Sequence, residues 1–83
     1  MNNPLVTKLE LCISASNLED RDVTSKSDPV CVVLMKDSTM KYREVGRTER
    51  IENTCSPAWA SSIHIDYFFE ERQQIKFQVL NEI

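Results

Sequence analysis

The residues of this chain best suited to chemistry are Asp22 and Asp28, which sit in the polar run "DRDVTSKSDPV" at residues 20–30. Carboxylates on one loop are hard oxygen donors, the type that calcium gathers in a shell of six to eight at about 2.3–2.6 Å. One loop fills only part of such a shell, so backbone carbonyls and a second loop have to supply the rest. Pro29 follows Asp28 directly and rigidifies the exit of the loop. A solvated turn accounts for the same residues, because Arg21 and Lys26 are placed to pair with the two carboxylates. An EF-hand does not account for them. With Asp20 in the first position, the sixth is Ser25 instead of glycine and the twelfth is Cys31 instead of glutamate. Spacing alone leaves both the calcium reading and the solvated-turn reading open.

A second constellation is basic. In "KYREVGR", Lys41, Arg43 and Arg47 fall on one face of a strand if the alternation is regular. A base close to an anionic bilayer contributes about 1 kcal/mol. Glu44 and Glu49 lie nearby, so a solvated strand face is the competing reading. Trp59, two residues after Pro57 in a turn-rich loop, either inserts at an interface or packs over the end of the fold. His64 alternates outward between Ile63 and Ile65, as a surface histidine does. No nucleophile elbow accompanies the serines, and a single glycine excludes a glycine-rich phosphate loop, so an enzyme is not expected. Cys12, Cys31 and Cys55 show no C-x-x-C spacing that would make a zinc set with His64. Their odd number and scattered positions read as free thiols in a reducing, cytosolic setting.

These residues must be positioned by a small fold. The chain has 83 residues, one domain at most, and thirteen acids against ten bases give a net charge of −3. That balance argues against general nucleic-acid binding, which needs a basic face. No run approaches the ~20 apolar residues of a spanning helix, and "MNNPLVTK" lacks the apolar core of a signal peptide. Any membrane contact is therefore expected to be peripheral.

Strands are legible by their period of two. "KLELCISASNL" sends Leu9, Leu11, Ile13 and Ala15 one way, and "SSIHIDYF" sends Ile63, Ile65 and Tyr67 one way. "PVCVVLMK" is a β-branched run, and "IKFQVL" turns Ile75, Phe77 and Val79 inward. "KYREVGRTERIE" alternates in a polar way, with Gly46 marking a bulge or a close backbone approach. "DSTM" reads as a turn and "FEERQQ" as a helical turn. The expectation is an all-β antiparallel sandwich, with residues 1–7 as a tail. The strand-like run at the end leaves an unpaired edge.

"NLEDRDVTSKSDPVCVVL", "EVGRTERIENTCSPAW" and "DYFFEERQQIKF", in this order, resemble the first C2 domain of the copine family, over residues 8–80. The resemblance implies an eight-stranded antiparallel sandwich of C2 type in the phospholipase-like strand order. Residues 8–83 would then be strands one to about six of a partial domain, with the C-terminal strands missing. It implies calcium held between loops at one end, with Asp22 and Asp28 matching the first-loop aspartates. In the third loop, where the family has Tyr-Asp-x-Asp, this chain has Leu80, Asn81, Glu82 and Ile83. Asn81 offers a neutral carbonyl oxygen at the first aspartate position, and Ile83 offers nothing at the second. The metal set that the resemblance implies is therefore Asp22, Asp28 and Asn81, an incomplete shell expected to bind calcium weakly if at all.

The implied function is calcium-dependent binding to an anionic phospholipid membrane surface, with Lys41, Arg43 and Arg47 as lipid contacts. The implied location is the cytoplasm, with recruitment to membranes, the plasma membrane above all, and with protein partners besides. Copines carry two such domains followed by a von Willebrand A-like domain. The open edge and the degraded third loop support two alternatives: a calcium-independent protein-interaction domain, or a truncated fragment with an incomplete calcium site.

Overall fold

In the computed structural model, which describes residues 6–19 and 28–81, every regular element is a strand. β1 is Val6–Leu11, β2 Pro29–Lys36, β3 Tyr42–Arg47, β4 Ile63–Phe68 and β5 Ile75–Asn81. They form two antiparallel sheets, one of β1 and β4, the other in the order β3-β2-β5. This is the expected all-β antiparallel sandwich.

The alternation of the sequence explains which faces meet. Leu9 pairs with Ile65 and Leu11 with Ile63, so the apolar residues of β1 and β4 share one side of their sheet. The core they build contains Cys31, Val33, Trp59, Ile63 and Ile65, with Leu9, Leu11, Ile13, Ala15 and Met35 packed against it. Tyr67, expected on the same face, is exposed at the strand end. β2 carries buried residues on both faces, because it is the central strand of its sheet, as its β-branched run predicts.

β1 is shorter than the alternation in the sequence. Beyond Leu11 the chain follows the 55–59 loop through single bonds: Ala15 N–H donates to Pro57 O, Leu18 N–H to Cys55 O, and Trp59 N–H to Ile13 O. Pro57 explains why no regular ladder forms there, since it has no N–H to give. The expected turns are present, with Met40 N–H donating to Asp37 O and Glu71 N–H to Phe68 O.

Gly46 fulfils both of its expected roles. The β2–β3 register shifts between Val33 and Leu34, so Val33 faces Gly46 while Leu34 faces Glu44, and Val45 is the extra residue of a bulge. A Cβ on Gly46 would meet the Ile63 side chain at 2.9 Å. The glycine is thus what lets the two sheets approach at this point.

The segment after β3 is latched by Glu49. Its carboxylate accepts the Ala60 N–H at 2.8 Å and the Ser61 N–H at 3.2 Å. These backbone donors, Ala60 first, pull the carboxyl down to about 2 from an ordinary value of 4.5. A carboxyl whose folded value is depressed stabilises the fold above its unfolded value, and that contribution is lost as pH falls toward the folded value. Urea midpoints of the wild type and Glu49→Gln should therefore differ most above about pH 4.5 and converge toward about pH 2. The latch is solvent-exposed, so the difference should be modest. A gap independent of pH would show that the ionised carboxylate is not the latch.

Candidate functional site

Asp28 stands at the entrance of β2 and joins three segments. Its N–H donates to Asn81 Oδ1 at 2.9 Å, and its Oδ1 accepts the Asn53 N–H at 2.7 Å. Asn53 reaches this position with φ of 60°, a left-handed conformation that asparagine tolerates. The end of β5, the entrance of β2 and the 52–54 turn therefore meet at one end of the sandwich. Two of the three expected metal donors, Asp28 and Asn81, are brought within one hydrogen bond of each other. The third, Asp22, lies outside the described residues.

The donors present suit calcium in kind, a carboxylate and an amide oxygen, both hard. They do not amount to a shell in number. Among the described residues there is no group of three or more His, Cys, Asp or Glu that could hold a metal ion. The Asn81 oxygen already accepts one N–H and the Asp28 Oδ1 another, which leaves lone pairs on each for a further partner.

The basic residues are distributed differently from a regular alternation. Arg43 pairs with Met35 and Arg47 with Val32, three residues apart on β2, so the bulge places the two arginines on opposite faces. Arg43 lies on the face of Met35 and is held by the Asp37 carboxylate. That carboxylate also accepts the Thr39 hydroxyl, the Thr39 N–H and the Lys41 N–H. The Thr39 hydroxyl first and Arg43 next hold Asp37 far below the usual carboxylate range. The β2–β3 turn is thus a knot around Asp37, and Arg43 is part of it. Arg47 forms a two-bond fork with Glu44 at 2.7 and 2.9 Å, which lowers the Glu44 carboxyl.

A second basic feature appears only in three dimensions. Lys36 pairs with Tyr42, and Lys76 pairs with Leu34 two residues along β2, so all three side chains share the face opposite the core. Both ammonium groups stand 5.6 Å from the centre of the Tyr42 ring, within cation–π range. Among the described residues neither lysine is ion-paired. Lys36 and Lys76 are forty residues apart in sequence, so only the strand register could have joined them. The signal available was their parity within "PVCVVLMK" and "IKFQVL", each lysine opposite in phase to the residues on the core face, Cys31, Val33 and Met35 on one strand and Ile75, Phe77 and Val79 on the other.

Trp59 is buried, 6% exposed, and its Nε1–H donates to Pro29 O at 3.2 Å. It packs over the end of the sandwich and does not project from it. His64 is exposed, as expected. Cys12, Cys31 and Cys55 are all free thiols, and burial raises the Cys31 thiol.

A sandwich whose loops bring Asp28 and Asn81 together at one end is matched, over residues 8–82, by the family model described as C2 domain. The chain belongs to the C2 domain family. This C2 chain is also similar to Protein BONZAI 1 of Arabidopsis thaliana, with 44% identity over 77 residues. The alignment covers 93% of the present chain and 13% of that relative. The C2 chain therefore spans a small fraction of the length of the curated relative it matches.

Proposed function

We propose that this C2 domain is a copine-like binding module that docks on anionic phospholipid membranes and does so more strongly with calcium. It acts as a recognition surface and not as an enzyme. The observation that carries the lipid reading is the pairing of Lys36 and Lys76 around Tyr42 on the face opposite the core, with no carboxylate partner among the described residues. Lys41, Arg43 and Arg47 are proposed as further contacts: Arg47 shares the face of the two lysines, while Lys41 and Arg43 approach from the turn. Ammonium groups on an aromatic suit a phosphate headgroup, because the ring holds them without neutralising them.

Asp22, Asp28 and Asn81 are the residues proposed to hold calcium. The ion would supply positive charge at a loop end that is otherwise acidic. The module is proposed to be cytoplasmic and recruited to membranes, including the plasma membrane. Support for this reading comes from the family match and from the convergence of Asp28 and Asn81 at one end of the sandwich.

Vesicle sedimentation tests the two parts separately. With phosphatidylserine vesicles the domain should sediment more with calcium than with chelator, and neutral vesicles should carry little of it. Asp22→Asn with Asp28→Asn should remove the calcium increment and leave the chelator-resistant fraction in place. An undiminished increment in the double variant would exclude these carboxylates as the calcium ligands.

A further inference from the structure

Met40, in the turn between β2 and β3, is 69% exposed, more than any other large apolar side chain among the described residues. It also stands in the left-handed region, with φ of 66°. The other non-glycine residues with this backbone among those described are asparagines, Asn17 and Asn53, whose short polar side chains tolerate it. A methionine here is disfavoured twice, by the approach of its Cβ to the following carbonyl and by the water around its thioether. Its side chain is not part of the core, so the fold gains nothing that offsets either cost. A residue held this way at an exposed position points to a use outside the fold.

The turn that carries Met40 is firmly tied. The Asp37 carboxylate accepts bonds from Thr39, Lys41 and Arg43, and the Met40 N–H itself donates to Asp37 O. Bonds on both sides of Met40 thus hold it out in solvent. The turn lies across β2 from β5, the strand order being β3-β2-β5. Its surroundings are basic. Lys41 is exposed beside Met40, Arg43 follows, and Lys36 closes β2 and shares the Tyr42 ring with Lys76. Asp37, the one acid of the turn, is paired with Arg43. An apolar residue ringed by bases is the composition of an interfacial anchor. Phe69, exposed in the loop that reaches Gln74 beside Lys36, lacks it: Glu70 and Glu71 follow, and an anionic surface repels them.

We propose that Met40 is an apolar membrane anchor, entering the acyl boundary of an anionic bilayer beneath the phosphates that Lys36, Lys41 and Lys76 attract. The inference rests on the lipid reading above and adds to it a contact that salt does not screen. The unbranched, polarisable side chain of methionine adapts to irregular apolar surroundings such as acyl chains. β2 runs from Pro29, beside Asp28 and Asn81, to Lys36, so Met40 lies at the end of the sandwich away from the proposed calcium ligands. A domain that uses both ends therefore lies with β2 along the membrane surface and does not stand upright on its calcium loops.

Met40→Asn should bind phosphatidylserine vesicles about tenfold more weakly than the wild type, the low end of what burying a methionine supplies. Asparagine accepts the left-handed backbone, so the variant should melt at or above the wild-type temperature. The deficit should be the same factor at low and high salt, whereas the deficit from a removed lysine shrinks as salt rises. Met40→Cys, in a Cys12→Ser, Cys55→Ser background that leaves only the buried Cys31 besides, can carry an environment-sensitive fluorophore. Its emission should shift to the blue on phosphatidylserine vesicles and be quenched by lipids spin-labelled in the upper acyl chain. Wild-type affinity in Met40→Asn, a deficit that disappears in high salt, or a fluorophore that stays in water on the bound domain each overturns the anchor and leaves the lipid reading standing. A wild-type chain that binds no anionic vesicles overturns both.

Discussion

Replacing Trp59 with alanine is expected to cost about 3–5 kcal/mol, the range for large aromatic truncations in a core. A small domain has a total stability on the order of 5–15 kcal/mol, and one of this length sits toward the low end. The variant should therefore be largely unfolded near physiological temperature. Trp59 has this weight because three segments converge on it. Its ring belongs to the core with Val33, Ile63 and Ile65, its N–H donates to Ile13 O, and its Nε1–H donates to Pro29 O. Removal opens a cavity at the point where the β1 extension, the start of β2 and the loop before β4 meet. Trp59→Phe should retain most of the packing and lose the bond to Pro29 O, costing about 1 kcal/mol for that bond plus the unfilled volume. Urea unfolding followed by circular dichroism distinguishes these, since fluorescence is lost with the only tryptophan. If Trp59→Ala melts like the wild type, the loop can be detached without consequence and the core lies between the strands alone.

The period-two pattern made β1 and β4 legible, because one face of each is covered and the other is wet. Leu9, Leu11, Ile63 and Ile65 face the core, while Lys8, Glu10 and His64 are exposed. β5 was legible as a strand and in its orientation. Ile75, Phe77 and Val79 do lie on the face of Cys31 and Val33, yet they remain substantially uncovered. Burial depends on what packs opposite, and a local pattern carries no information about that. The same limit governs the site. Alternation put Arg43 and Arg47 on one face, and one extra residue at Val45 reversed the phase between them. Gly46 signalled that irregularity, but its direction followed only from pairing with β2. Asp28 and Asn81 were linked by the resemblance of the third loop, and their hydrogen bond follows from the β2–β5 register, a contact between residues far apart in the chain.

The largest functional effect is expected from Lys36→Ala with Lys76→Ala. Each lysine near an anionic surface contributes about 1 kcal/mol, so losing both should weaken binding to phosphatidylserine vesicles about 30-fold. Their removal should cost the fold little, because Lys76 is exposed, Lys36 is half-buried, and neither holds an ion pair among the described residues; the melting temperature should hardly move. Arg43→Ala is the comparison, a peripheral contact at the turn. Arg43 is tied into the knot at Asp37 and lies on the other face of β3 from the two lysines, so its removal should loosen the β2–β3 turn with a smaller effect on lipid. Salt provides a second readout. Surface attraction is screened within a Debye length of about 8 Å at physiological ionic strength, so wild-type binding should fall steeply with added salt. The double variant should start lower and fall less. Tyr42→Leu separates charge from placement: the lysines remain, but the ring that holds both ammonium groups 5.6 Å from its centre is gone. Affinity should drop by a few-fold while the salt dependence stays near that of the wild type. If Arg43→Ala loses as much lipid affinity as the lysine pair, the membrane contact lies at the β2–β3 turn, and the lysines flanking Tyr42 are only solvated.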